Sequence, residues 1–426
     1  MTISPNLIAE ENPRRRQAEQ VIAECIALAA MSEEPERTTR RFLTPPVADV
    51  HAHLRTRMAA LDMTVAIDAA GNLRGLWQPA NADGRRLVLG SHIDTVPNAG
   101  AFDGVLGVIL ALEIVAGARA NALPLAIEII AFSEEEGVRF GVPFLGSRAV
   151  AGRFDPTMLA LLDSEGISVE NALRNFGLNP GELDQAILSD EAIGFLEIHI
   201  EQGPVLEAKE LSLGVVTGIA GQTRCEVSFI GQANHAGTTP MPLRQDALAA
   251  AAEWITAVET AALRQRGDSE AAIVATVGKV FVEPNAGNVV PGYVRLSLDV
   301  RCIYDSTRKA AVEELLSAAA AIAAKRGMLC EAKRQMEQPA VPMDEQLTAL
   351  LSESLEAAGF PVHRMPSGAG HDAMVMATRV PTAMLFLRSP GGISHHPAES
   401  VREEDVEAAL GAADLFVKRI SGLHPK

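Results

Sequence analysis

Aromatic side chains are scarce in this 426-residue chain, at 4% of positions with only two Trp and two Tyr, so Ala, Leu and Val must carry its cores. Cysteine is scarcer still. Cys25, Cys225, Cys302 and Cys330 are widely spaced and form no C-x-x-C pair, which reads as small buried residues in a reducing compartment. No run approaches the ~20 apolar residues of a membrane span. Basic residues are outnumbered, 37 against 54 acids, for a formal charge of −17. That excess argues against nucleic acid or an anionic membrane surface as partner, because both repel such a protein. A small anionic substrate would need only a local basic pocket. Arg14-Arg15-Arg16 suggests a twin-arginine export signal, but the segment behind it is interrupted by Glu19, Gln20 and Glu24 with helical periodicity, so a first helix is expected there and a cytoplasmic location follows.

What is present is organised. The length exceeds one ordinary core, so two domains are expected. From about residue 10 to 214, helical stretches alternate with short apolar strands at 87–89, 126–132 and 196–200. That pattern predicts a three-layer α/β/α domain with a largely parallel sheet. Near Val216 it changes to strand 225–231, Ala-rich helix 246–264, strands 272–282 and 294–302, helix 306–326 and strand 328–334. The order βαββαβ predicts a ferredoxin-like α+β module. The α/β pattern resumes with a helix at 344–358, another near His371, a strand at 381–387 and a closing helix from Glu403. A discontinuous larger domain, 1–216 and 336–426, is thus expected to carry an insert at 217–335.

The most informative stretch is Gly90-Ser91-His92-Ile93-Asp94-Thr95-Val96-Pro97, followed by Ala101-Phe102-Asp103-Gly104. A buried-strand run delivers a histidine and two acids into a Gly-rich loop, at the sheet end where open α/β folds place their sites. A second strand ends in Ser133-Glu134-Glu135-Glu136-Gly137. Three adjacent acids repel one another unless something cationic lies among them, although a solvated charge run opening a helix would explain them too. In 196–203, alternation puts Glu197, His199 and Glu201 on one face, which a polar sheet edge would equally explain. Ser394-His395-His396-Pro397-Ala398-Glu399 reads alone as a surface turn. Together these strings all fall at or near strand-to-loop junctions of the domain expected to hold the sheet.

The strings GSHIDTV, FDG, SEEEG, HIEQG, NHAGTTPM, NVVPG, SGAGHDA and GISHHPAE resemble the M20 metallopeptidase superfamily. More closely they resemble its hydantoinase/carbamoylase branch of N-carbamoyl-L-amino acid hydrolases, β-ureidopropionases and allantoate amidohydrolases. The resemblance runs in unbroken order from about residue 20 to 418. It implies that Asp103 bridges two divalent ions, His92 and His199 completing one site and Glu136 and His395 the other. Zinc suits these donors first, and manganese, cobalt or nickel fit the same set. Asp94 would orient the His92 imidazole. Glu135 would be the general base for a water that attacks a ureido carbonyl.

For the inserted module the resemblance implies that His235 polarises that carbonyl, in its own or a partner's site; a loop histidine capping a backbone group is the alternative. Arg224, Asn288 and Arg301 would grip a substrate carboxylate, since a guanidinium fork matches one bidentately. Arg301 shares a strand face with Asp299, however, and pairing with that acid is the structural alternative. Gln202 would bind the ureido NH₂, and Gly370 would present backbone N–H to substrate from a loop that His371 supports. The module would act as a lid, with hinges near 215–218 and 334–337, and would pair two copies into a homodimer.

The expected activity is cleavage of a linear ureido C–N bond in a small anionic substrate. The segment 140–146 favours N-carbamoyl-L-amino acids, whereas Ser32-Glu33-Glu34-Pro35, 147–152 and Met365-Pro366-Ser367 resemble allantoate proteins, and the balance falls slightly on the former. The alternatives are an aminoacylase or dipeptidase, which would have no ureido NH₂ for Gln202, and a non-catalytic metal-binding homologue, against which the intact Glu135 argues.

Overall fold

A computed structural model describes residues 13–264 and 272–423. It divides into a larger unit, Met1–Thr217, Met343–Met365 and His371–Lys426, and a smaller one, Gly218–Pro342 and Pro366–Gly370.

The larger unit is mixed α/β around a largely parallel sheet. Across it the order is Thr64–Ile67, Leu73–Trp77, Ala126–Phe132, Arg86–His92, Ala192–Ile200, Thr382–Leu387 and Leu213–Ile219. The four strands from Ala126–Phe132 to Thr382–Leu387 run parallel. Those outside them are antiparallel. Every residue of Ala126–Phe132 is buried, as is all of Arg86–His92 except its first residue. Continuous burial is what parallel strands covered on both faces require.

Helices Pro13–Ala29, Val105–Ala120, Glu345–Ala357 and Glu403–Ser421 pack into one group. Val105–Ala120 lies so close to the sheet that a Cβ on Gly107 would meet the Ile198 carbonyl oxygen at 2.2 Å. Helix Pro45–Ala60, which begins on two prolines, packs on the antiparallel edge. Neither it nor that edge is picked out by the sequence pattern, because Thr64–Ile67 is only four residues long and alternates exposed with half-buried positions, none of them fully buried.

In the smaller unit the antiparallel order is Leu329–Gln338, Gly221–Ile230, Tyr293–Cys302, with Val274–Thr276 and Val280–Glu283 both on the far side of Tyr293–Cys302. Strict alternation along Tyr293–Cys302 buries Val294, Leu296, Leu298 and Val300 with Trp254 of helix Ala247–Arg264 and Leu315 of helix Asp305–Lys325.

Two expectations fail here. The strand foreseen at 272–282 is broken, because one extra residue falls between the Thr276–Asp299 and Val280–Leu296 pairs; there Lys279 N–H donates to Ser297 Oγ at 2.9 Å while its carbonyl still accepts Ser297 N–H at 3.1 Å. The second hinge, at 334–337, lies inside Leu329–Gln338, where only a bulge between Arg334 and Met336 interrupts the pairing. The chain instead passes between units after Thr217 and after Pro342, and the smaller unit also takes 366–370. Among the described residues no helix is long and apolar enough to cross a membrane, and none of the four cysteines forms a disulfide.

Candidate metal centre

Four strand ends or loops of the larger unit supply the site. Arg86–His92 terminates on His92, and the chain returns through Asp103 before helix Val105–Ala120. Between them Gly104 adopts φ +70°, and a Cβ there would lie 2.5 Å from the His92 ring, so no larger residue fits. Ala126–Phe132 leads into the three acids, Ala192–Ile200 carries His199, and the loop after Thr382–Leu387 carries His395. His92, Asp103 and His199 are fully buried, whereas the His395 side chain is half exposed on a backbone at φ +56°.

Three imidazoles converge on one carboxylate. Asp103 Oδ1 lies 3.1 Å from His199 Nε2 and 3.6 Å from His92 Nε2, and Oδ2 lies 3.2 Å from His395 Nε2. His395 Nε2 is in turn 3.5 Å from Glu136 Oε1, and His92 Nε2 is 4.0 Å from Glu135 Oε2. The far ring nitrogens of His92 and His199 each lie 2.9 Å from a backbone carbonyl, of Asp94 and Ile200 respectively. A proton held at each Nδ1 leaves both Nε2 lone pairs aimed inward, 3.4 Å apart.

This donor set fits divalent cations. Asp103 Oδ1 is buried without a hydrogen-bond partner. His92, Asp103 and His199 offer ligand atoms within 4.8 Å of one another, as do Asp103, Glu136 and His395. Mixed imidazole nitrogen and carboxylate oxygen suits zinc, manganese, cobalt or nickel.

Electrostatics point the same way. Burial alone would raise the Asp103 carboxyl, but the surrounding imidazoles of His199, His395 and His92 hold it well below the usual range. Burial and then the Asp103 charge push Glu136 up to about 7. Burial, reinforced by Glu136 and Asp372, drives Glu135 well above its ordinary value against the pull of His92. A cation among such acids displaces their protons, which couples metal binding to proton release.

The acid run is not a solvated helix opening. Glu134 and Glu135 are buried, and the next helix is Leu145–Val150. Nor is His199 on a sheet edge, since Ala192–Ile200 lies between two parallel neighbours. On the same strand Glu197 accepts from Ser91 Oγ at 3.0 Å and Ala373 N–H at 2.8 Å. Glu201 leaves the group and accepts the first N–H groups of the short helix Val205–Ala208.

Asp94 has a second role besides the one expected. Its carboxylate accepts the backbone N–H of Glu135 and of Glu136, each at 3.0 Å, and its Oδ1 also lies 3.7 Å from His92 Nδ1, which sits nearer the Asp94 backbone oxygen. It therefore fixes the acid loop as well as standing beside the imidazole. Gln202 Nε2 donates to Asp103 Oδ2 at 3.0 Å and Ser394 Oγ at 3.1 Å, which leaves its carbonyl oxygen to accept from a ligand.

The remaining candidates lie in the smaller unit. A cavity of about 670 Å³ there is lined by Arg224, Lys279, Ser297, Asp299, Arg301 and Gly368, among others. Asp299 draws in both guanidiniums. Arg301 grips it through Nε at 3.0 Å and Nη2 at 3.1 Å, and Arg224 Nε approaches at 3.1 Å. The pairing alternative therefore holds for Arg301, yet two arginines on one acid keep this wall cationic. Arg301 Nη1 also donates to the Gly368 carbonyl at 2.7 Å, tying down the loop that ends in Gly370. His235 is exposed, and its Nδ1 accepts Gly237 and Thr238 N–H, the capping alternative. Asn288 is held by its backbone, its carbonyl accepting Ala236 N–H at 2.9 Å.

The sequence profile of peptidase family M20/M25/M40 matches residues 88–419. The chain belongs to that family. It is 38% identical to "Allantoate deiminase" of Arabidopsis thaliana over 420 residues, covering 92% of this chain and 80% of that one. It is 36% identical to "N-carbamoyl-L-amino acid amidohydrolase" of Geobacillus stearothermophilus over 404 residues, covering 94% and 97%. The crystal structure of an amidase of the hydantoinase/carbamoylase family from Burkholderia multivorans superposes with a TM-score of 0.88 at 30% identity, covering 94% and 97%. This M20 chain is thus a hydrolase of C–N bonds other than peptide bonds.

Motif reading of this M20 chain overlooked three polar groups beside the centre. Ser394 bridges Gln202 and Glu399, Glu399 is buried against the Asp103 segment, and both carboxylate oxygens of Asp372 are buried and without a hydrogen-bond partner. The strings containing them were legible; the contacts that distinguish them exist only in three dimensions.

Proposed function

We propose that this chain is a two-metal hydrolase of linear ureido bonds, acting on N-carbamoyl-L-amino acids or allantoate. The observation that carries this reading is the convergence of His92, His199 and His395 on Asp103, one of whose oxygens is buried without a hydrogen-bond partner, with Glu136 beside His395. His92, His199 and Asp103 would hold one ion, and Glu136, His395 and the same Asp103 the other. Ions bound there supply Lewis acidity and lower the pKa of a water toward neutrality.

The chain's own groups do the rest. Glu135, its pKa raised by burial, takes the proton of the attacking water and returns it to the leaving nitrogen. The Gln202 carbonyl oxygen accepts from the ureido NH₂. Arg301 and Asn288, with Arg224, bind the substrate carboxylate, and the Gly370 N–H supports it. His235, whose Nδ1 accepts two backbone N–H groups, keeps its proton on Nε2, the form that donates to a developing oxyanion. The carbamoyl product decomposes to carbon dioxide and ammonia. The strand order of the smaller unit supports a ferredoxin-like module, to which we assign lid and dimerisation roles in a cytoplasmic enzyme.

The test is ammonia release from a panel of N-carbamoyl-L-amino acids, N-carbamoyl-β-alanine, allantoate and an N-acetyl-amino acid, each with zinc, manganese, cobalt or nickel. Turnover of ureido substrates that chelation abolishes and metal restores is expected. Activity surviving exhaustive chelation, or confined to the N-acetyl compound, would overturn the assignment.

A further inference from the structure

Among the described residues, Glu399 is a buried acid outside the metal-ligand and substrate-binding groups that bonds directly to the segment carrying Asp103. Its side chain is 95% buried, four residues beyond His395 in the same loop. Oε1 accepts two backbone N–H groups, from Phe102 at 2.9 Å and from Asp103 itself at 3.0 Å. Oε2 accepts Ser394 Oγ at 3.2 Å, and that hydroxyl also lies 3.4 Å from Asp103 Oδ2. Gly100 completes the fit, because a Cβ there would fall 2.3 Å from Glu399 Cβ and 2.5 Å from Oε1. The segment carrying Asp103 and the loop carrying His395 are distant in sequence, and this carboxylate bonds to both.

We infer that Glu399 is the positioning residue that fixes Asp103 relative to His395 and so sets the spacing of the metal ligands. The inference rests on the metal-centre reading above. Bonds from ionised acceptors to backbone N–H are among the stronger ones available, and two on one oxygen hold the backbone of Asp103 rather than its rotatable side chain. Without them the Asp103 segment loses its tie to the His395 loop, and two buried N–H groups lose their acceptor.

The test is calorimetric titration of the metal-free full chain with zinc alone and with manganese alone. Glu399→Ala is expected to weaken metal binding by about ten- to hundredfold, the range for groups that orient metal ligands. Its kcat should fall while KM for the ureido substrate stays within about threefold, as expected when ligand spacing rather than substrate binding is disturbed. Glu399→Gln keeps one carbonyl oxygen for the two N–H groups and an NH₂ for Ser394, so it should bind metal within about threefold of the parent.

Parent-like metal binding by Glu399→Ala would overturn the inference, as would equal damage in Glu399→Gln. Should Glu399→Ala not fold, Gly100→Ala, which displaces the same carboxylate, must weaken metal binding by about tenfold or more; parent-like binding there would also overturn it. A parent chain that takes up neither metal removes this inference together with the metal-centre reading, whereas a metal-binding parent with unaltered variants removes this inference alone.

Discussion

Asp94→Asn separates two roles for one carboxylate. In the structure each Asp94 oxygen accepts one backbone N–H, from Glu135 and Glu136, both at 3.0 Å, in a setting where Asp94 is 2% exposed. Asparagine has one carbonyl oxygen, so its NH₂ must face the other N–H, donor against donor. A hydrogen bond to a charged acceptor contributes roughly 1.5–3 kcal/mol, and each 1.36 kcal/mol is about tenfold in rate. If that loss falls on the placement of Glu135 in the transition state, kcat should drop about ten- to hundredfold with KM nearly unchanged. The His92 ring contact would survive, because it is made to the Asp94 backbone oxygen at 2.9 Å. The assay is steady-state ammonia release with saturating metal, alongside thermal melting to confirm a folded chain. A folded Asp94→Asn protein with parental kcat would refute the idea that this carboxylate governs the acid loop.

Other expectations follow from the same geometry. His51 is buried with both ring nitrogens unpartnered, and burial, then the nearby Arg55, lowers its pKa to about 4. A base whose folded pKa is depressed stabilises fully above its unfolded value of about 6.5, and that stability is lost as pH falls toward 4. Between pH 7 and 5 this amounts to about 2 kcal/mol, so His51→Leu should shrink the drop in denaturant midpoint over that range; an unchanged drop would show that His51 is not its source. Arg301→Lys keeps the charge but loses the fork on Asp299 and the Gly368 bond, so KM for carboxylate-bearing substrates should rise about tenfold or more, and an unaltered KM would make Arg301 structural. His235→Ala should depress kcat by about a hundredfold or more if Nε2 serves the oxyanion; a parental kcat would leave only its capping of Gly237 and Thr238.

Much of the site was legible because its strings sit at strand ends, where alternation and glycine placement reveal the turn into a loop. His92 and the acids of 134–136 were noticed that way, and the structure brings His92 within reach of His199, Glu135 and Glu136, and Glu136 within reach of His395. Asp94 was found for its place beside His92, but its two bonds to the acid loop were not, since nothing in a one-dimensional motif shows which backbone N–H groups a carboxylate will meet. The strand at 272–282 failed because its break is a one-residue mismatch in pairing with Tyr293–Cys302, which depends on the neighbouring strand and leaves no mark in the apolar pattern. The hinge at 334–337 failed because a bulged strand and a linker share the same polar composition.

The order of residues alone determined which donors exist, their chemical softness and the elements that carry them, since periodicity and turn chemistry are local properties. Folding decided what each donor faces. Only the register of four parallel strands brings His92, Glu136 and His199 to one end of the sheet. Only burial converts a run of acids into groups that keep their protons unless a cation is present. Glu399 makes the point most sharply: as a letter it is one of many acids, and its meaning comes from two N–H groups almost 300 positions away that have no other acceptor to turn to.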